Sequence, residues 1–124
     1  KNFYKMKSNF LNFKMKKILI IEKFKSNFNK YIIFCAGSYG EIILKICLNL
    51  KVNVEFVVDN NNFYSGKKLN SKMIYAPSIL KKKLRHFSNH KILICNKSNN
   101  QFKKIRFQLE RIGLNKKNFI QINI

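Results

Sequence analysis

The fold is decided by residues 31–40, which read YIIFCAGSYG. The first five form a short apolar run, as in a strand that is buried on both faces of a parallel sheet. The run ends in a turn that contains Gly37 and Gly40, and the following residues place Ile43, Ile46 and Leu50 on one helical stripe. This stretch therefore predicts a strand, a glycine turn and a helix in succession.

The alternation of strands and helices continues downstream of this unit. The predicted strands are 54–58, 73–75, 92–95 and 119–124, and the predicted helices are 41–50, one that starts near Pro77 and Ser78, and one over 102–112 that ends at Gly113. Right-handed crossovers order the five strands 3-2-1-4-5, with the alternating last strand near the sheet edge. We therefore predict an α/β fold, a Rossmann-like three-layer sandwich with a mostly parallel five-stranded sheet.

A basic segment, residues 1–30, precedes this unit and holds nine lysines and one glutamate. Its apolar residues recur at three- and four-residue steps, which predicts a basic amphipathic leading helix; they are Phe10, Phe13, Ile20, Ile21, Phe24 and Phe28. Such a helix either contacts an anionic membrane or a partner, or covers one face of the sheet, and the second interpretation is favoured. The predicted organisation is this helix followed by a nucleotide-binding domain over 31–124.

The net charge of +21 suggests attraction to phosphate, in nucleic acid or at an anionic surface. Lysine outnumbers arginine 23 to 3, however, and Lys, Asn, Ile, Phe and Tyr together fill 75 of 124 positions. Nucleic-acid readers favour arginine for bidentate contacts, whereas these five residue types all have A/T-rich codons. The charge is therefore better explained by composition than by a specific nucleic-acid surface, and binding at low salt is still expected.

The cysteines and histidines do not predict a metal site or a disulfide framework. Cys35, Cys47 and Cys95 are odd in number and lie in apolar segments, no CxxC pair occurs, and His86 and His90 are near no cysteine in sequence. The sequence also has neither an apolar run of about 18 residues nor the pattern of a signal peptide. We expect reduced thiols, no metal, no membrane-spanning segment and a cytoplasmic location.

Two loops should meet at a crevice, because ligands of this fold dock beyond the carboxyl ends of the strands where the strand order reverses. One loop is Gly37-Ser38-Tyr39-Gly40, where the backbone turns into a helix whose N-terminus suits phosphate, and the other is Asn96-Lys97-Ser98. Asp59, followed by Asn60, ends the second strand 19 residues after Gly40, at the spacing of a ribose-binding acid. These nine residues are the predicted cofactor-binding site.

The glycine pattern departs from the dinucleotide fingerprint G-x-G-x-x-G, because Cys35 occupies the position of the first glycine. Gly37 and Gly40 could then serve only helix packing, and Asp59 could cap a loop. The chain has five acidic residues and no paired carboxylates or Ser/His/Asp order near the site, so no catalytic residue is predicted. The sequence favours a binding domain over a complete enzyme.

Four blocks carry a family resemblance: residues 32–40, residues 56–61, residues 65–77 and residues 107–113. In this order they resemble the Rossmann-like accessory domains of nucleotide-sugar-modifying enzymes, namely the C-terminal domain of sugar C-methyltransferases, the N-terminal domain of nucleoside-diphosphate-sugar epimerases or dehydratases, and sugar acyltransferases. The resemblance implies a domain that holds NAD or a nucleotide-sugar while another part of a longer polypeptide performs the chemistry. It would make the chain a fragment or remnant of a surface-polysaccharide biosynthesis enzyme.

Three functions stay open at this point. The first is a nucleotide or nucleotide-sugar binding domain of such an enzyme, and the alternative is a basic nucleic-acid or anionic-surface binding protein without catalysis. The third is a purely structural pairing domain.

Overall fold

The computed structural model describes residues 9–19, 30–83 and 90–123. Its strands are β1 (Lys30–Phe34), β2 (Val54–Val58), β3 (Lys68–Leu69), β4 (Lys72–Tyr75), β5 (His90–Cys95) and β6 (Phe119–Ile122). Its helices are α1 over residues 9–19, α2 (Ser38–Asn49), α3 (Ser78–Lys83) and α4 (Asn99–Arg111). Helices therefore alternate with strands along most of the described chain, as the sequence predicts.

The sheet has the order β3-β4-β2-β1-β5-β6, and every pair except β3 with β4 is parallel. The five parallel strands follow the predicted order, and β6 lies at the edge as predicted. The predicted strand number was wrong, because β3 adds a sixth strand antiparallel to β4. The connecting residues Asn70 and Ser71 both have positive φ, 45° and 70°, which is the geometry of a tight two-residue hairpin turn.

Strand β1 lies at the centre of the sheet and is buried on both faces. Tyr31 and Ile33 belong to the core on one side, with residues of α1 and α2, whereas Ile32 and Phe34 belong to the core on the other side, with residues of α3 and α4. This division follows from the period of two along a strand. Burial on both faces requires a continuous apolar run, and residues 31–35 supply the run from which the central strand is predicted.

Helix α1 packs on the sheet through a different stripe from the one predicted. Met15 and Leu19 are buried in the core shared with α2, while Phe10 and Phe13 are 55% and 66% exposed. The predicted stripe was therefore wrong for both phenylalanines, because α1 has a second apolar side, with Met15 and Leu19, and that side meets the sheet. The other members of that stripe, at 20, 21, 24 and 28, lie outside the described residues.

The ends of two other elements bear on the sequence interpretation. Gly113 follows α4 with a φ of 108°, which confirms it as the left-handed residue that ends this helix. Helix α3 begins at Ser78, and the part of the predicted helix that includes His86 lies outside the described residues. None of the helices in the described ranges is long and apolar enough to cross a membrane.

Candidate functional site

A cleft of about 480 Å³ opens at the carboxyl ends of β1 and β5, where the strand order reverses. Seven of the nine predicted site residues line it: Gly37, Ser38, Tyr39, Gly40, Asp59, Asn96 and Lys97. The lining also includes Cys35, Asn61, Tyr64 and Cys95. The fold thus brings together the two loops that the sequence places far apart.

Cys35, which stands in place of the first glycine of the fingerprint, has the positive φ that glycine usually adopts. Cys35 has a φ of 95°, a region where an L-residue with a Cβ is strained by about 1–3 kcal/mol. Its amide donates to the carbonyl of Val58 on β2, 2.8 Å away. The tight turn that opens a phosphate loop is therefore present despite the side chain.

The two remaining glycines serve different purposes. A Cβ on Gly40 would lie 1.9 Å from the carbonyl oxygen of Cys35, so only glycine lets α2 approach β1 this closely. Gly37 has ordinary extended backbone, φ −69° and ψ −171°, and a Cβ there would meet nothing within 4 Å. Gly37 is thus not required by the turn itself, and its missing side chain leaves the wall of the cleft bare.

The strain at Cys35 predicts a difference between two small substitutions. We expect Cys35→Gly to be more stable than Cys35→Ala by about 1 kcal/mol, because both remove the thiol and only alanine keeps a Cβ at positive φ. Urea unfolding of the two variants measures this difference. Equal midpoints at equal slopes would contradict a strained backbone at this position.

Asp59 ties the end of β2 to the glycine turn. Its Oδ2 accepts from the backbone N–H of Ala36 at 2.6 Å, and its Oδ1 accepts from that of Asn61 at 2.7 Å. The carboxylate therefore caps a loop, which is one of the two roles that the sequence leaves open for Asp59. Each oxygen keeps a second lone pair, so the same carboxylate can still accept a ligand hydroxyl.

Removal of this carboxylate should loosen the turn. We expect Asp59→Ala to lower the free energy of unfolding by about 2 kcal/mol, because the Ala36 amide, whose residue is buried, loses a charge-assisted hydrogen bond. Asp59→Asn keeps one acceptor and should cost clearly less. Chemical denaturation of both variants tests this. An Asp59→Ala variant as stable as the parent would show that the hydrogen bonds of Asp59 add nothing to stability.

Two predicted site residues do not line the cleft, because each is engaged elsewhere. The side chains of Asn60 and Gln108 exchange two amide hydrogen bonds of 3.0 and 2.8 Å, which connect the β2 loop to α4. Ser98 is the N-cap of α4, where its Oγ accepts from the amide of Gln101. Both residues position the loops that bound the cleft without facing it.

The side chains of the cleft favour an anionic ligand over covalent chemistry. Burial and the charge of Asp59 raise the pKa of the Cys35 thiol to about 11 although Asn96 hydrogen-bonds to it, so this thiol is neutral at pH 7. The Lys97 ammonium lies 5.1 Å from the centroid of the Tyr39 ring at the opening. The α2 N-terminus borders the same space, and no side chain of the described residues caps it through a hydrogen bond.

Burial also raises the pKa of the Cys95 thiol well above its usual value, so this second thiol of the cleft is neutral as well. Within the described ranges, no group of three or more His, Cys, Asp or Glu side chains is arranged to hold a metal ion. The cleft can therefore recognise a ligand through backbone amides, side-chain amides and hydroxyls, one ammonium group and the Asp59 carboxylate.

Asn61, Tyr64 and Cys95 were not predicted from the sequence. The Asn61 side chain accepts from the amide of Phe63 and starts a short 3-10 turn, Asn62–Tyr64, which carries Tyr64 to the cleft. Only the cluster of asparagines after Asp59 signals this turn. Cys95 borders the cleft because it ends β5, which pairs with β1, so the predicted strand order is the signal that could have found it.

Solved structures that share the fold with this chain include a dehydrogenase, a repressor and an acetyltransferase domain. UDP-D-quinovosamine 4-dehydrogenase from Vibrio fischeri matches with a TM-score of 0.60 at 19% identity, over 77% of this chain and 78% of that one. RSP, a Rex-family repressor in complex with NAD⁺ and operator DNA, matches with a TM-score of 0.55 at 20% identity, over 78% of this chain and 51% of that one. The acetyltransferase domain of PglB from Neisseria gonorrhoeae FA1090 matches with a TM-score of 0.51 at 15% identity, over 69% and 41%.

These likenesses establish the fold, which is Rossmann-like. The chain spans about half the length of the repressor chain and less of the PglB domain. No protein-family model and no curated protein matches the sequence. The resemblance to accessory domains of sugar C-methyltransferases and of epimerases or dehydratases therefore stays a prediction.

Proposed function

We propose that this chain is a nucleotide or nucleotide-sugar binding domain and that its ligand occupies the cleft between the glycine turn and the Asn96–Ser98 loop. The observation that carries the proposal is the bare wall at Gly37, beside the N-terminus of α2 and across from Lys97. Backbone that approaches a pyrophosphate closely needs such a gap, and a helix N-terminus with a nearby ammonium favours phosphate. Asp59 then accepts from a ribose or sugar hydroxyl with its remaining lone pairs.

The candidate ligands are NAD and nucleotide-sugars. Among the solved structures of this fold, one is a UDP-sugar dehydrogenase and another is a repressor with bound NAD⁺, which supports both classes equally. The cleft has neutral thiols and a single carboxylate, so we assign it to binding and orientation. In this proposal the chemistry belongs to another part of a longer cytoplasmic sugar-modifying enzyme.

Isothermal titration calorimetry tests the binding directly. We expect saturable heat with NAD, UDP or a UDP-sugar, and a weaker response or none with S-adenosylmethionine. Comparison of UDP, UDP-sugar and NAD separates the contribution of the phosphates from that of the sugar and of a second nucleotide. No saturable heat with any of them at millimolar ligand removes the proposal.

The charge supports a second candidate, nucleic-acid binding, since the chain carries +21 and one structure of this fold holds operator DNA. Binding that neutralises several phosphates persists at about 0.15 M salt with a steep dependence of log affinity on log salt. Attraction from composition alone vanishes there. A salt titration of duplex DNA binding therefore distinguishes specific binding from attraction by composition. We expect DNA binding to vanish at about 0.15 M salt.

A further inference from the structure

Helix α1 has a second apolar side that the core does not use. Met15 and Leu19 face the sheet, whereas Phe10 and Phe13 are 55% and 66% exposed on the outside of the helix. Phe10, Phe13, Lys14 and Lys17 follow the steps i, i+3, i+4 and i+7 and therefore share one helical face. The Lys14 ammonium lies 4.7 Å from the centroid of the Phe10 ring, so cation and aromatic ring stand side by side.

Helix α2 belongs to the same layer as α1. Both helices contribute to one core cluster and so cover the same face of the sheet. Ile42 and Leu48 on α2 are 44% and 36% exposed, which means that four of the six exposed large apolar side chains among the described residues lie on this layer. Ile42 and Leu48 point about 120° apart around α2, with the Glu41–Lys45 ion pair between them, so they do not form one apolar face. We therefore call the surface formed by Phe10, Phe13, Lys14 and Lys17 of α1 the outer face of the α1/α2 layer.

We propose that the outer face of the α1/α2 layer binds the surface of an anionic lipid bilayer. Aromatic side chains with adjacent lysines suit the boundary between acyl chains and headgroups, where the rings enter and the ammonium groups meet lipid phosphate. Each lysine near such a surface contributes about as much as a fivefold change in affinity, and the two exposed rings add apolar burial. The cleft opens at the carboxyl ends of β1 and β5, and no α1 residue lines it, so this surface and the nucleotide site can be used together.

Vesicle co-sedimentation at about 0.15 M salt tests the proposal, because at that ionic strength long-range attraction between exposed charges is largely screened. The probes are vesicles of phosphatidylcholine alone and vesicles that contain about one third phosphatidylglycerol. We expect binding to the anionic vesicles only. Phe10→Ser with Phe13→Ser, and separately Lys14→Glu with Lys17→Glu, should each lower it about tenfold or more.

Matched controls lie on α4, in the opposite layer, where Phe107, Lys103 and Lys104 are exposed. Phe107→Ser, and separately Lys103→Glu with Lys104→Glu, should change vesicle binding less than about twofold, since one charge pair away from the surface acts weakly. If the α1 double phenylalanine variant loses helical circular dichroism, Phe10→Gln with Phe13→Gln replaces it in the same comparison, because glutamine favours the helix more than serine does.

Three outcomes overturn the proposal. The first is no binding to anionic vesicles, or undiminished binding by the folded phenylalanine variant. The second is an equal loss from the α1 and α4 charge reversals, which would assign the attraction to diffuse charge. The third is a concentration-dependent dimer that the phenylalanine variant makes monomeric in sedimentation without any vesicle binding, which would assign the surface to a second copy of the chain.

Discussion

Gly40→Ala should prevent normal folding or lower the free energy of unfolding by about 3 kcal/mol or more. The new Cβ would lie 1.9 Å from the carbonyl oxygen and 2.9 Å from the carbonyl carbon of Cys35, and neither is a flexible side-chain end that can move aside. Relief requires α2 to move away from β1, which opens the core that Ile43 and Cys47 share with the sheet. A loss of this size is a large part of the total stability of a domain.

Urea unfolding followed by circular dichroism measures this effect, and Gly37→Ala is the matched control. Gly37 is three residues earlier in the same turn, but its Cβ would meet nothing within 4 Å and its φ of −69° suits alanine. We expect the control to lose no more than about 1 kcal/mol, because Gly37 is the N-cap of α2 and alanine is less favoured than glycine there. A Gly40→Ala variant that unfolds at the parent's midpoint would mean that α2 does not pack on β1 as closely as described.

The sheet could be predicted from the sequence because strands buried on both faces need continuous apolar runs. Residues 31–34 and 92–95 carry such runs, and their neighbours in the chain follow the right-handed crossover rule. Strand β3 could not be found in this way, because Lys68–Leu69 is too short to show a period. Its turn has Asn70, which favours positive φ, but Ser71 takes the place of the usual glycine, so the residue types give only a weak turn signal.

The candidate site was predictable to the extent that it depends on strand ends. Gly37, Asp59 and Asn96 follow β1, β2 and β5, so strand order alone brings their loops together. The hydrogen bonds of Asp59 and the partner of Asn60 could not be predicted, since they depend on the positions of the loops to within a few tenths of an ångström. The buried side of α1 was predicted wrongly, because residue spacing alone does not tell which of two apolar sides of a helix meets the sheet.

Gly37→Val should abolish nucleotide binding, with at least a hundredfold loss of affinity, while the domain remains folded. Valine should not strain the turn, because Gly37 has extended backbone and its Cβ would meet nothing within 4 Å. The branched side chain would instead occupy the part of the cleft wall that backbone must leave bare for a phosphate to reach the α2 N-terminus. Calorimetry with NAD and a UDP-sugar measures the loss, and urea unfolding checks that stability changes by less than about 1 kcal/mol.

Lys82→Ala is the control for charge, because Lys82 is exposed on α3 and does not line the cleft. We expect it to leave nucleotide affinity within about twofold of the parent, since an exposed charge beyond the screening length acts weakly on the ligand. Under nucleic-acid binding the ranking reverses, because loss of one phosphate-facing lysine weakens DNA binding and lowers the salt slope by about one, whereas the glycine turn takes no part. A folded Gly37→Val variant that binds the nucleotide like the parent would place the ligand elsewhere, and the assignment of the cleft between β1 and β5 would then be wrong.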